Sequence, residues 1–456
     1  MGKRFREYNP KQVMALPPSM NDWLPPDHPA YFVSETVDQF DLSAIYRNYR
    51  EGRGQPPYDP RMLVKVWLYA CCCGINSSRR LERALHEDVG FRVLSGNQQP
   101  DHWTLSEFRR RHQAALGDLL KESVRVAAEA GLVKLGHVAI DGTKLKANAS
   151  KHSAMSYGRM KTEEQRLAHE VDAFLEQAAA NDAAEDKVYG SESGWRLPPE
   201  LKDRRKRLEA IRRAKERLEA EAKQKLAAEQ DDRRKKAERE GQEYRPRNSA
   251  EDAKPKDTDQ MNFTDPDSRI MLNADKAFVQ GYNGQAAVDA ETHVILAADL
   301  TGQADDGSHL LSMVRQVWEN TGRYPSELSA DAGYFSEANL LGLGEGIEAL
   351  IPPDKVKHSE WREQPPATGE PPIEATLREQ MRHKLRTEHG RERYKLRMTS
   401  VEPVFGYIKE AMRFRQLMLR GEGKARSLWR LQCAAFNVMK LYWKTREVRL
   451  ALVSVN

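Results

Sequence analysis

Three carboxylates stand in settings that could bind a divalent cation. Asp141 ends the apolar run Val138-Ala139-Ile140 and is followed at once by Gly142, and Asp331 ends Leu328-Ser329-Ala330 and is followed by Ala332-Gly333-Tyr334. An acid at the carboxyl end of a strand faces the crevice where open α/β sheets collect ligands and metals. A glycine close behind lets the backbone leave sharply and keeps the carboxylate uncovered. Glu402 lies in Ser400-Val401-Glu402-Pro403-Val404-Phe405-Gly406-Tyr407-Ile408-Lys409, where apolar residues at 401, 404, 405, 408, 411 and 412 form a helix-period stripe. Ser400 is the expected N-cap, with Pro403 in the first turn where its missing N–H costs little. Glu402, Lys409 and Arg413 then fall near one edge of the stripe, about two and three turns apart. An acid followed by two bases suits a metal beside a phosphate backbone. Taken singly, each pattern also describes something plainer: a turn former or helix cap for either aspartate, a solvated amphipathic helix for Glu402.

These residues need elements to hold them. Residues 1–55, rich in proline and aromatics, read as an extended arm with a short helix near Asp41 to Tyr49. Helical spacing begins at Tyr58 (Leu63, Val66, Trp67, Ala70), resumes around Leu81 to Val89 after the Gly74–Asn76 break, and resumes again at Thr104. Thr104 and Glu107 make a capping-box pattern ahead of a run to Ala130. The Arg109-Arg110-Arg111 triplet fits either a small helical DNA-binding module or a solvated helix face. Gly136 to Ile140 reads as a strand ending on Asp141. From about Thr162 to Gln242 the chain is rich in Ala, Glu, Lys and Arg, with 16 basic against 10 acidic residues between Lys202 and Glu240. Leu201, Leu208, Ile211 and Leu218 hint at a heptad, but Lys215 and Lys225 stand where a coiled coil needs apolar residues, so a long exposed helical hairpin is the reading. A polar linker (Glu243 to Asp259) leads to strands at Ala277–Val288 and His293–Leu300, a helix at Leu310–Asn320, and strands at Leu328–Ala330 and Glu348–Ile351. A proline-rich loop (352–375) precedes a basic stretch, with 15 Lys/Arg against 6 Asp/Glu over Arg378–Arg430, and a last helix from about Ala425 to Thr445.

Asp-Gly-Thr-Lys-Leu-Lys-Ala-Asn-Ala-Ser-Lys-His-Ser-Ala-Met-Ser-Tyr-Gly-Arg-Met over residues 141–160, Ala-Asp-Ala-Gly-Tyr-Phe-Ser over 330–336, and Tyr394…Arg397…Glu402…Lys409 resemble bacterial insertion-sequence transposases of the DDE type, specifically the insertion sequence 1182 family. Tyr58–His112 looks like the helical domain that such proteins carry ahead of their catalytic core. The resemblance covers most of the chain. It implies an α/β fold: an RNase H-like mixed sheet with flanking helices over 133–456, interrupted by a helical insertion over 151–259, behind an all-α DNA-binding domain over 56–132. It also implies that Asp141, Asp331 and Glu402 are both the catalytic and the metal-binding triad, holding two Mg²⁺ ions for which Mn²⁺ can substitute. Two such ions in an in-line displacement activate the attacking oxygen and stabilise the leaving one. Tyr394, Arg397, Lys409 and Arg413 are the implied DNA contacts. Relatives space the motif Tyr-x2-Arg-x3-Glu-x6-Lys; here the Arg-to-Glu gap is four residues. The implied partners are terminal inverted repeats and target DNA, with a homodimer or larger assembly on the DNA. A metal-dependent nuclease that cannot join ends and an inactive DNA-binding descendant stay open as alternatives.

The remaining signals exclude more than they add. The chain has 456 residues, 39% hydrophobic and 31% charged, and a net charge of +5, enough for a sizeable core and unlike a disordered chain. The longest nearly apolar run, Val66 to Ile75, has 10 residues where a membrane helix needs about 20, and Met1 to Pro10 lacks a secretory pattern, so a cytoplasmic, nucleoid-associated protein is expected. Adjacent Cys71, Cys72 and Cys73 make no disulfide framework or zinc spacing and are expected as buried helix residues. His152 and His309 are set aside as lone histidines, and Gly342, Gly344 and Gly346 lack dinucleotide-loop spacing. Asp305–Asp306 is expected as a helix cap.

Overall fold

The structure is a computed structural model and describes residues 19–49, 56–189, 199–239, 241–246, 248–273, 276–354 and 365–454. The N-terminal helices are α1 (Pro29–Asp38), the one-turn α2 (Ser43–Tyr46), α3 (Pro60–Cys72), α4 (Ser78–Glu87), α5 (Val89–Leu94), α6 (His102–Arg111) and α7 (Gln113–Glu129). Part of the expected extended arm is therefore helical. Pro29 starts α1, and the spacing of Ala30, Val33 and Val37 buries one face. The helix expected at Asp41–Tyr49 shrinks to α2. Thr104 does not open its helix either. Asp101 accepts a hydrogen bond from the Thr104 N–H at 2.7 Å and starts α6 two residues earlier, and a break at His112 separates α6 from α7. Of the cysteines, Cys71 is buried, whereas Cys73 lies just past α3 and is exposed.

One mixed sheet carries the site. β1 (His137–Lys146) pairs antiparallel with β5 (Phe278–Asp289) and parallel with β7 (Glu327–Ala330), which pairs parallel with β8 (Glu348–Leu350). Along its other edge, β5 pairs antiparallel with β4 (Arg269–Leu272) and β6 (Ile295–Thr301). The first strand corrects the sequence reading. Asp141 does not end it: β1 runs on through Gly142 to Lys146, with Thr143 and Leu145 buried. Gly142 is thus a strand residue, not a turn.

Between β1 and β4 the chain leaves the sheet. A two-stranded ribbon of β2 (Ala154–Ser156) and β3 (Gln260–Asn262) closes the base of a hairpin formed by α8 (Tyr157–Tyr189) and α9 (Pro199–Arg239). The hairpin has a small core of its own, including Met160, Leu167, Leu208, Ile211 and Leu218. Leu208, Ile211 and Leu218 thus pack within the hairpin, and Lys215 bonds Glu164 at 2.8 Å.

α10 (Leu310–Thr321) and α11 (Glu337–Leu343) flank β7, and α12 (Leu377–Arg386) leads into α13 (Glu388–Glu410) and α14 (Glu422–Ser454). The expected start of a helix at Ser400 is overturned. Thr387 caps α13, whereas Ser400 is fully buried mid-helix with its hydroxyl on the Leu396 carbonyl at 2.6 Å. Pro403 therefore sits inside a helix, where it leaves the Thr399 carbonyl without its helical donor. α14 packs against α7, α3 and β6, so a single continuous core joins Trp67 and Leu120 to Trp429 and Ile295. Buried Asn437 fixes this junction, bonding both backbone groups of Ile295 at 2.8 Å and the Ser123 hydroxyl at 3.1 Å. Among the described residues no helix is long and apolar enough to cross a membrane.

Candidate active site

β7 stops at Ala330, opposite Ile140 of β1, while β1 continues. Asp331 thus leaves the sheet beside Asp141. Asp331 caps the short turn Ala332–Tyr334, its Oδ1 accepting from the Gly333 N–H at 2.8 Å. Asp141 accepts from the Gly142 N–H at 2.8 Å through Oδ1 and from Arg397 of α13 at 2.7 Å through Oδ2. The side chains of this ion pair are only 17% and 15% exposed. Burial pushes the Asp141 carboxyl up to about 6; Arg397 opposes the rise, and the negative charges of Asp331 and Asp306 add to it. Burial works against the charge on Arg397 as well, but Asp141, Tyr394 and Asp331 outweigh it and hold its pKa above the usual value. Tyr394 lies alongside, its ring centroid 5.8 Å from the guanidinium carbon.

Asp306 belongs to this neighbourhood, and the sequence reading missed it. It does not cap the turn Gly307–His309 with its side chain; Asp305 reaches the Gly307 N–H at 3.4 Å instead. Asp306 turns inward, where its Oδ1 accepts from Asn283 at 2.6 Å and from Gln285 at 2.8 Å. Gln285 in turn accepts from the buried Tyr334 hydroxyl. A signal was present in the sequence: Asn283 and Gln285, two residues apart on one face of the strand that runs into Ala286-Ala287-Val288, must find polar partners.

Glu402 is exposed on α13. Five residues beyond Arg397, it lies roughly 140° around the helix from the residue that meets Asp141. The oxygens of Asp141, Asp331 and Glu402 do not all lie within 4.8 Å of one another; among the described residues, the acid and histidine group that does is Glu327, Glu348 and His389. That group sits by the opposite, N-terminal ends of β7 and β8, and its charge is already balanced. Glu327 bonds His137 at 2.9 Å and Arg393 at 2.5 Å, and Glu348 pairs with Lys384 at 3.0 Å. Lys409 is half-buried near the end of α13. Arg413 is exposed but does not continue the expected helix edge: α13 ends at Glu410, and Arg413 has left-handed backbone (φ 51°) in a loop against Gly74.

Of the arginine triplet only Arg109 is directed inward; Arg110 and Arg111 are exposed. Arg109 is buried over Trp67 and bonds the Asn76 carbonyl at 3.1 Å, Arg110 pairs with Glu107, and Arg111 bonds the Asn48 carbonyl. Arg79, Arg80, Arg83 and Trp103 are among the side chains that α4 and α6 expose.

Residues 18–111 match the family model described as Transposase domain (DUF772), and residues 369–442 match the one described as Transposase DDE domain. The second match spans Tyr394, Arg397, Glu402 and Lys409. No curated protein and no solved structure matches the chain. The two matches together support a transposase of the DDE type, and the second implies an enzyme that cleaves nucleic acid and requires a divalent metal.

Proposed function

We propose that this chain is an insertion-sequence transposase of the insertion sequence 1182 family that binds the ends of its own element and cleaves and transfers DNA strands. The observation that carries this reading is the meeting of Asp141 and Asp331 at the line where β7 stops beside the continuing β1. The strand relations support an RNase H-like core: β5 runs antiparallel between β1 and β6, and β7 and β8 run parallel to β1 on its other side. Within it, 133–456 is the catalytic domain, interrupted by the hairpin over 151–259, and 56–132 is the DNA-binding domain.

The donor chemistry fits a hard cation. Mg²⁺ prefers oxygen ligands, and Asp141 and Asp331 present carboxylates beside each other's fields. Glu402 is the third carboxylate of the set, and two Mg²⁺ ions, replaceable by Mn²⁺, would be held there. Such ions activate a water or a 3′-hydroxyl and stabilise the leaving oxygen. The protein's own groups do the rest. Arg397 neutralises Asp141 and fixes its Oδ2, while Gly142 and Gly333 fix one oxygen of each aspartate through their N–H groups. Lys409 acts as a point charge beside a phosphate. Arg413, exposed past the end of α13, extends that contact along the backbone without reading bases. The partner is double-stranded DNA in the bacterial cytoplasm, both inverted repeats and target, gripped by a dimer or larger assembly.

The test incubates the full chain and Mg²⁺ with a duplex bearing the sequences that flank its coding segment, plus a second duplex as target. A transposase gives end cleavage and joined products, a nuclease gives cleavage alone, and an inactive binder gives neither. Asp141→Ala, Asp331→Ala and Glu402→Ala should each abolish cleavage while leaving the DNA mobility shift intact. Near-parental cleavage by any one variant removes that residue from the triad.

A further inference from the structure

We propose that Asp306 is a positioning residue of this same site, an anchored carboxylate whose charge strengthens the hold of Asp141 and Asp331 on a divalent cation. The inference rests on the metal-dependent reading above.

The anchoring is specific. Asn283 and Gln285 are both fully buried and share one face of β5, and both donate to the same oxygen of Asp306, at 2.6 and 2.8 Å. β1 leaves room for that arrangement. Gly142 lies opposite Gln285 in the register, and a Cβ there would stand 2.8 Å from Asp306 Oδ1, 2.7 Å from Gln285 Nε2 and 2.9 Å from Asn283 Oδ1. The residue after Asp141 must lack a side chain because the cradle of Asp306 fills its place. Asn283 Oδ1, buried and without a hydrogen-bond partner, also faces this spot.

Asp306 touches the other aspartate's loop as well. A Cβ on Gly333 would lie 2.9 Å from Asp331 Oδ1 and 3.6 Å from Asp306 Oδ2, so the two carboxylates flank one glycine. Asn339 locks the two loops together, donating to the carbonyls of Gly307 and Tyr334 at 2.8 Å each. Asp306 makes no side-chain cap bond, so capping does not account for its place. Lys144, opposite Asn283, puts its ammonium 3.6 Å from Asp306 Oδ1 and offsets part of the charge. An acid held by neutral donors between two other acids is unfavourable on its own and becomes favourable when a cation arrives.

The test is Mn²⁺ binding to the full chain without DNA, read from the electron paramagnetic resonance of free Mn²⁺. Asp306→Asn keeps the shape of the side chain and loses its charge, and it should weaken binding about tenfold, the order expected for one partly neutralised charge near a dication. Lys144→Met should act in the opposite direction and tighten binding about threefold. A purely structural role for Asp306 would not give opposite signs. Should Asp306→Asn fail to fold in EDTA, Lys144→Met decides alone. Parental affinity in Asp306→Asn, or unchanged or weaker binding in Lys144→Met, overturns the inference. Asp141→Asn separates the levels: if it abolishes Mn²⁺ binding while Asp306→Asn does not weaken it, Asp306 alone is excluded. If neither substitution matters, the metal site fails with it.

Discussion

Asp141→Asn should make the metal-free protein more stable at neutral pH, and the gain should appear only as pH rises. Burial lifts the Asp141 carboxyl from 3.8 to about 6 in the folded chain. Between those values the folded state holds a proton that the unfolded state has released, so parental stability falls as pH rises through the window and stays low above it. A shift of about two units corresponds to ~3 kcal/mol. The side chain is only 17% exposed, so solvent screening reduces this little. Asparagine cannot ionise, and Arg397 remains in both proteins. Urea denaturation in EDTA at pH 4, 5, 6 and 7.5, with stability read from midpoint and slope, gives the comparison. The variant-minus-parent difference should grow from pH 4 and level off above about pH 6.5, about 3 kcal/mol higher. Saturating Mg²⁺ should stabilise the parent and not the variant. Parallel curves from pH 4 to 7.5 would refute the burial argument.

Other perturbations sort structure from chemistry. Gly142→Ala forces a methyl group against three polar atoms within 2.9 Å and should cost about 1–3 kcal/mol in urea denaturation, as overpacking does. Glu402→Ala removes an exposed side chain and should change stability by less than about 0.5 kcal/mol, so any loss of cleavage is chemical in origin. Lys409→Ala should flatten the slope of log affinity against log salt by about one unit on duplex DNA, with sequence preference unchanged. An unaltered slope would show that Lys409 meets no phosphate.

What the sequence made legible was local. Asp331 at the end of a short strand, the helical hairpin from its composition, and the positions of β5 and β6 all follow from patterns within a few residues. What stayed hidden depends on partners distant in sequence. Gly142 reads as a turn because its neighbours do not reveal that Asn283, Gln285 and Asp306 occupy its side-chain space. Pro403 reads as the first turn of a helix because its neighbours do not reveal that the helix is already capped at Thr387 and buries Ser400. The same holds for charge. Arg109–Arg111 look alike in sequence, but Arg109 is buried over Trp67 and bonds Asn76, while Arg110 and Arg111 stay on the surface beside Glu107 and Asn48. Asp141 and Asp331 meet through a register that neither flanking sequence encodes, and Glu402 stands away from them on the solvent face of α13.

Whether those three acids share a metal is the central claim, and chain cleavage by bound Fe²⁺ tests it directly. With Fe²⁺ in place of Mg²⁺, and ascorbate and peroxide added, hydroxyl radicals cut the polypeptide beside the residues that hold the ion, and the fragments are mapped by mass spectrometry with and without end duplex. The account predicts cuts clustered near residues 141 and 331 in both conditions, joined by cuts near 402 when DNA is bound, all suppressed by excess Mg²⁺. Cuts near 327, 348 and 389 instead, or none near 402 in the DNA complex, would contradict it.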